Sequence, residues 1–599
     1  MTPFSHRRVV PLLLAPSLLL PAGPLRADVL QEREQRSHPV WSPGGMVAVQ
    51  EPRAAAAGVE LLRQGGNAVD AAIGTAFALA VTHPQAGNLG GGGFLVLWLP
   101  GKSPARARGC LPVSGASGRG AGPELAIGQG TAVAVNFRET APAAARPDLF
   151  VGPDGTVDRQ LATRSLLSTA VPGSVAGLVL AQRCYGRLPL QRVIAPAIAL
   201  AEQGFPVSRS LAEDLRRARP RLEADPTPRA LFLTADRPGA VLRQPQLATT
   251  LRRIAAEGDR GFYAGPTAAA LVGLMRREGG LITQSDLEGY RAQLVRPLAG
   301  RFRGATVLVP PPPSSAITIL QLLAVLEPMP LASLGANGAE SLHRMAEAMN
   351  LAYRDRNALL GDPDQVAIPL ARMLAPAYVA AMRSALDLER HRPPDQVQQE
   401  RPPLPESEDT IHLSTADRQG GMVALTTTLN FPFGNGIAVP GAGFLLNNEM
   451  DDFTAQLGSP NAFGLVQGAT NAIAPGRRPL SSMSPTLVFH ADGRPWFATG
   501  SPGGSRILTT VLQVLLNRIE HGLNLAGAVA APRIHAQLLP DRFFFEEGLS
   551  PDTRRLLEAK GHQLVRSPAM GAANSVEITA DGTLGVVDPR KAEGLAAGE

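Results

Sequence analysis

The chain has 599 residues, 44% hydrophobic and 18% charged, with 62 glycines and 54 prolines. It can bury a large core, and it shows neither a collagen-like period nor an internal repeat, which excludes a fibre and a solenoid. The formal charge of +6 comes almost wholly from scattered arginines, with lysine only at Lys102, Lys560 and Lys591; no basic run interleaved with aromatics is present, so a dedicated nucleic-acid surface is not expected.

Residues 1–27 read as a bacterial export signal. His6-Arg7-Arg8 precede an apolar, proline-broken stretch from Val9 to Gly23, and Ala27 precedes the expected cut, with Leu25 where a small residue is usual. The Arg7-Arg8 pair is compatible with a twin-arginine route. The stretch is too short for a stable span, and no later segment has eighteen uninterrupted apolar residues. The mature protein is therefore expected to be soluble, periplasmic or secreted.

Helical spacing over 53–64 ends at Gly65-Gly66, and Asn67 caps a second helix through Ala80 with Asp70 in its first turn. The HPQAGNLGGGG loop (83–93) leads into a strand at Phe94–Trp98, so it is not a dinucleotide fingerprint, which needs a helix there. Its four consecutive glycines predict close backbone approach or positive-φ turns. Residues 101–130, rich in Gly, Ser, Ala and Pro, read as a surface insertion or mobile loop. A strand over 131–139 ends in Phe137-Arg138-Glu139. The pattern is mainly helical from about 165 to 295. Pro310 to Pro313 with Ser314-Ser315 forms a rigid loop before a helix at 317–326, and another helix covers 338–360, closing on Arg354-Asp355-Arg356. Cys110 and Cys184 could form one disulfide, but their spacing does not decide it.

Residues 387–409 are polar and proline-rich, an exposed linker after which the chain becomes strand-rich. Length alone suggests roughly two to four domains, with one large domain or two intimately packed ones as the alternative. Two β-type runs, 411–415 and 422–429, flank the turn signal Ala416 to Gly421. A hairpin centred on Gln419 pairs Leu413 with Leu425 and sets Thr410 opposite Thr428. Side chains alternate along a strand, so Thr410, His412, Ser414, Thr426 and Thr428 share the polar face.

Thr410-Ile411-His412-Leu413-Ser414, followed by TTTLN (426–430), resembles the start of the small subunit of γ-glutamyltransferases. The resemblance runs through GMVA (45–48), GGNAVDAA (65–72), HPQAGNLGGGGF (83–94), FRE-x-AP (137–142), PPPSS (311–315), LNNEMDDF (446–453), RPLSSMSPT (478–486) and GSPGGSR (500–506), in the family's order and at matching spacing. It implies an α+β, four-layer αββα sandwich of the N-terminal nucleophile type, formed jointly by a large subunit (28–409) and a small subunit (410–599) after self-cleavage between Asp409 and Thr410. It also implies that Thr410 is the nucleophile, that Thr428 orients it, and that Gly503 and Gly504 form the oxyanion hole. Arg138, Ser481 and Ser482 match the groups that bind the substrate α-carboxylate; Asn430, Glu449 and Asp452 match those around its α-amino group. The expected partners are small molecules: glutathione, other γ-glutamyl compounds, and acceptor amino acids or peptides. No cofactor and no metal is implied.

Several positions depart from the family's pattern. Ile411 replaces a second threonine or similar small residue, and Phe431-Pro432-Phe433 replaces a more polar stretch. Phe463 stands where some members have a lid tyrosine, and Ser315-Ala316 replaces Ser-Gly-Gly. Two alternatives are a related acylase acting on glutaryl side chains of β-lactams and an uncleaved, inactive binding homologue.

Overall fold

Two antiparallel sheets lie face to face, and helices cover the outer face of each. The computed structural model describes residues 38–104, 110, 122–394 and 410–599. The export signal, much of the 101–130 segment and the end of the linker, Asp409 included, lie outside the described residues. One sheet has seven strands in the order Val40–Ser42, Gly582–Val586, Ser575–Thr579, Pro495–Thr499, Thr486–Phe489, Ala305–Val309, Leu298–Phe302. The other runs Leu595–Gly598, Met46–Val49, Thr410–Ala416, Met422–Thr428, Gly92–Pro100, Gly130–Phe137, Leu125–Ile127, with Gln293–Val295 also paired to Gly130–Phe137.

Three cores make the four layers. Met46, Ala48, Val96 and Trp98 of the eight-stranded sheet meet Leu308, Leu487, Phe489 and Ala498 of the seven-stranded sheet between the layers. Helices Pro52–Arg63, Ala68–Thr82 and Ser174–Tyr185 pack on the outside of the first sheet, and Ile317–Leu326, Ala339–Leu359 and Ile507–Ile519 on the outside of the second. The αββα sandwich expected from the resemblance is the observed fold. Residues on both sides of Thr410 interleave in both sheets, all within one compact unit spanning 37–599 rather than the several domains that length alone suggests.

Local signals place these elements. Asn67 caps Ala68–Thr82 in a reciprocal capping box with Asp70, and Asp417 Oδ2, in the turn of the Thr410 hairpin, accepts from Ala68 N at 2.9 Å. This joins a helix that precedes Thr410 in the chain to the hairpin that begins at Thr410. Cys110 and Cys184 form a disulfide. Two expectations need correction. Leu125–Ile127, within the segment read as insertion or loop, forms a strand against Gly130–Phe137. Residues 430–485 are not strand-rich; beyond isolated bridges such as Ala438↔Leu445 and Thr454↔Ala472 they contain the short 3-10 turns Glu449–Asp452 and Ala469–Asn471. Among the described residues no helix is long and apolar enough to cross a membrane.

Candidate active site

Thr410 begins its strand, and the hairpin register runs from Thr410↔Thr428 through Leu413↔Leu425 to Ala416↔Met422. The glycine loop makes room for it. A Cβ at Gly91 would stand 1.9 Å from Thr428 O, and one at Gly93 2.2 Å from Thr426 O. Of the two reasons for the glycine run, close approach is therefore the operative one. Asn88 holds the loop in place, donating to Thr428 O at 3.0 Å and accepting from Gly91 N at 2.9 Å.

The Thr410 hydroxyl donates to Thr428 Oγ1 at 3.2 Å, and Thr428 Oγ1 also accepts from Asn430 N at 2.9 Å. Asn430 takes a positive φ of 76° to do so and donates its amide to Asn448 O. Below Thr410, His412 is fully enclosed and pushed down to about 3 by burial, so it is neutral. Ser414 Oγ donates to Asn574 O, leaving its lone pair for His412 Nε2–H, while His412 Nδ1 accepts from Thr426 Oγ1 at 2.8 Å. The polar face of the hairpin is thus satisfied by its own side chains and by the Asn574 carbonyl.

A cleft of about 350 Å³ opens beside Thr410. Thr410, Thr428, Asn430, Glu449, Asp452, Ser481, Ser482 and Gly504 all line it. Gly503, at φ 126°, and Gly504, at φ 54°, lead through a 3-10 turn into helix Ile507–Ile519, so their backbone sits at a helix N-terminus, where partial positive charge collects. Phe463 covers Gly504; a Cβ there would meet its ring at 2.7 Å. The Pro311–Ser315 loop cradles the serines: Ser481 N donates to Pro313 O at 2.8 Å, and Ser315 N to Ser481 O at 2.7 Å.

Arg138 lies one layer behind the cleft, fully buried. Its guanidinium ion-pairs with Glu449, Asp452 and Glu139 and donates through Nε to Pro479 O at 3.0 Å. Burial works against its charge, but these carboxylates outweigh that and hold it above the ordinary arginine range. Three carboxylates around one cation leave a surplus of negative charge. Burial pushes Glu139 up to about 7 and Glu449 well above the usual carboxylate range. Glu449 Oε2, on the cleft residue, has no hydrogen-bond partner among the described residues.

Known proteins share this architecture and sequence. Residues 54–108 and 114–598 match the family model described as gamma-glutamyltranspeptidase. The chain belongs to the gamma-glutamyltranspeptidase family. A glutathione hydrolase proenzyme of Escherichia coli (strain K12) is 43% identical, covering 96% of this chain and 95% of that protein. Another, from Pseudomonas sp. (strain A14), is 40% identical over 94% and 95%. The crystal structure of a cephalosporin acylase from Bacillus halodurans superposes with a TM-score of 0.79 at 26% identity, covering 94% of this chain and 97% of that one.

The cleft of this family member also contains groups that sequence reasoning passed over. Arg356 is buried, lines the cleft, and donates to Ser482 Oγ at 3.1 Å, Gln467 Oε1 at 3.3 Å and Asn357 Oδ1 at 2.8 Å, none of them a carboxylate. Its sequence signal was present. Tyr353, Arg356 and Asn357 fall at i, i+3 and i+4 on one helix face, and a polar stripe aligned with the buried side of a helix marks a site. Asp451 stands beside the cleft residue Asp452 and lines a neighbouring pocket. It accepts from Ala462 N at 3.2 Å and so helps hold the segment carrying Phe463.

Proposed function

We propose that the chain is the precursor of a γ-glutamyltransferase with glutathione hydrolase activity, which breaks its own Asp409–Thr410 bond and then uses Thr410 as nucleophile. The observation that carries this reading is the Thr410 hydroxyl, bonded to Thr428 in one wall of a cleft whose facing wall carries carboxylates, serines and a buried arginine. A threonine hydroxyl is a weak nucleophile and needs a base. In maturation, Thr410 Oγ1 adds to the Asp409 carbonyl, the peptide becomes an ester, and water hydrolyses it. Asp409 gains a carboxylate and Thr410 a free α-amine, of ordinary pKa about 7.7–8.0.

In turnover that amine takes the hydroxyl proton as Oγ1 adds to the γ-carbonyl of the donor. The oxyanion is held by N–H groups at Gly503 and Gly504, a contribution of about 2.7–4 kcal/mol per donor. The proton passes to the departing amine, and a γ-glutamyl ester stays on Thr410. Water then releases glutamate, or an amino acid or peptide amine takes the acyl group. Asn430, Glu449 and Asp452 receive the α-ammonium, and Ser481 and Ser482 the α-carboxylate; Arg138, which the resemblance assigns to that carboxylate, stands behind the cleft on Glu449, Asp452 and Glu139 and acts by holding them. Arg356 belongs with the two serines, since it stands on Ser482 with no carboxylate of its own. The interleaved strands hold the two pieces together after cleavage. The Cys110–Cys184 disulfide suits an oxidising compartment and supports export by the 1–27 signal, to the periplasm or beyond.

N-terminal sequencing of the smaller fragment, with anilide assays on the same sample, tests the reading. The expected result is a fragment beginning at Thr410 and faster release from γ-glutamyl-anilide than from glutaryl-anilide. The reverse preference would make the protein an acylase, and a single uncleaved band would make it a binding homologue. In the mature enzyme kcat/KM should rise as pH increases through about 7.7–8.0, because the base works deprotonated; a flat profile there would rule out the α-amine.

A further inference from the structure

Three of the chain's ten histidines meet away from the Thr410 cleft. His343 lies early in helix Ala339–Leu359, His391 follows helix Pro376–Ser384, and His562 follows helix Pro551–Ala559. Arg356, which reaches the cleft, is thirteen residues beyond His343 on the same helix, roughly 20 Å at 1.5 Å per residue. His343 Nε2 donates to the carbonyl of Asp387 at 2.8 Å, so its Nδ1 carries a lone pair. That lone pair faces His562 Nε2 at 2.8 Å. Glu347, one turn after His343 on the same helix face, brings a carboxylate to the same spot. One donor atom from each of His343, Glu347 and His562 lies within 4.8 Å of the other two, and all three residues are buried.

We propose that His343, Glu347 and His562 bind a divalent transition cation of the zinc class, with His391 as the outer group that orients Glu347. Two imidazoles and a carboxylate are a donor set that Zn²⁺ uses, with a fourth position left for water. Calcium and magnesium, which require oxygen ligands, do not suit two imidazoles. The surroundings have the form expected around such a site, where ligating groups are themselves hydrogen-bonded. The Asp387 carbonyl fixes the His343 tautomer. His391 Nδ1 holds Glu347 Oε1 at 2.6 Å, its Nε2 meets Asp541 Oδ1 at 2.9 Å, and its ring stacks on His562 at 4.7 Å. The 2.8 Å between His343 and His562 leaves room for one shared proton. A cation takes that proton's place, the proton moves to His562 Nδ1, and no proton is released. Tetrahedral ligands at about 2.0–2.1 Å from zinc stand roughly 3.3 Å apart, so the two rings must open by about half an ångström.

The site joins residues from both sides of Thr410: His343, Glu347 and His391 before it, His562 and Asp541 after it. If the chain is cleaved as proposed above, the cation becomes a cross-link between the subunits close to the end of the larger one. The donor set does not depend on that cleavage, and its distance from the cleft separates it from the Thr410 chemistry.

The test uses tag-free full-length protein, stripped with a chelator, reloaded with Zn²⁺ and freed of excess metal. Elemental analysis should find about one zinc per chain, in the cleaved protein and in uncleaved Thr410→Ala alike, so the result stands apart from the maturation reading. Co²⁺ in place of Zn²⁺ should give the intense visible bands of low-coordinate cobalt. Glu347→Gln and His562→Gln should each weaken binding at least about tenfold and keep γ-glutamyl-anilide turnover. Zinc below about 0.1 per chain in reloaded wild type, a weak six-coordinate Co²⁺ spectrum, or unchanged affinity in both variants would overturn the assignment. The wild-type measurements decide it even if a variant does not fold.

Discussion

Thr410 sits in a hairpin with seven cross-strand pairs and a further strand bonded on either side. Most of the groups facing it across the cleft sit in residues 430–485, where two short 3-10 turns are the only repeating structure. Side chains hold that loop wall. Asn447 Nδ2 donates to Gly90 O and Ala170 O at 2.7 and 2.8 Å, Asn448 Oδ1 accepts from Phe431 N, and Asn471 Oδ1 accepts from Leu480 N. The difference fits the two tasks proposed above for these walls. A nucleophile must keep one position, and a ladder in mid-sheet fixes it. An amino-acid head group must be met from several directions at once, which strands alternating up and down cannot arrange.

The sharpest way to break the comparison is to remove the hydroxyl proposed above to react on the sheet wall. Thr410→Ala should leave the fold intact, abolish cleavage, and lower γ-glutamyl-anilide turnover by about 10³-fold or more. A single band on denaturing electrophoresis with an unchanged melting temperature is the expected picture. Retained activity would exclude Thr410 as the nucleophile.

On the loop wall the largest effect should be on stability. Arg138→Gln leaves Glu449, Asp452 and Glu139 buried without their cation, and losing one partner of a buried pair costs about 3–5 kcal/mol. The melting temperature should fall well below that of Thr410→Ala. Equal melting temperatures would mean that the ion cluster does not hold the wall.

How far each wall was legible follows the same division. The period of two over 411–415 and 422–429, with a glycine turn between them, specified the register down to Thr410↔Thr428. The Asn67 cap was equally plain, because capping is local chemistry. The loop wall has no period, so only the family resemblance picked out Glu449, Asp452 and Ser481. Arg356 escaped because its role depends on where a helix end lands against Ser482, about 126 residues away in sequence. The strand Leu125–Ile127 escaped because three residues at a sheet edge carry too little pattern. Whether Cys110 and Cys184 pair is likewise a question of distance in space, which spacing does not reveal.

A smaller effect separates binding from chemistry. Arg356→Gln keeps a hydrogen-bond donor beside Ser482 but removes the charge, which burial already opposes. The fold should tolerate it. KM for γ-glutamyl-anilide should rise about tenfold with kcat within about twofold, since the α-carboxylate is held alike in ground and transition states. A fall in kcat with KM unchanged would instead place Arg356 among the groups that act only on the reacting bond.

The smallest expected effect lies in the pH dependence of stability, and Glu139 isolates it. Its carboxylate is buried, Oε1 lacks a partner among the described residues, and Oε2 is 3.4 Å from an arginine already shared with Glu449 and Asp452. Burial, partly countered by Arg138, pushes it up to about 7 from an ordinary 4.5. The folded protein therefore keeps a proton that the unfolded chain releases. Stability from this group is fully present below about pH 4.5 and is lost as pH rises through about 7. Glu139→Gln removes that share, so urea midpoints at pH 5 and pH 8 should lie closer together than in wild type. They should not coincide, because Glu449 is also raised and contributes in the same direction. An unchanged gap would mean that Glu139 is ionised throughout, and that Arg138 balances more of the negative charge on the loop wall than burial allows.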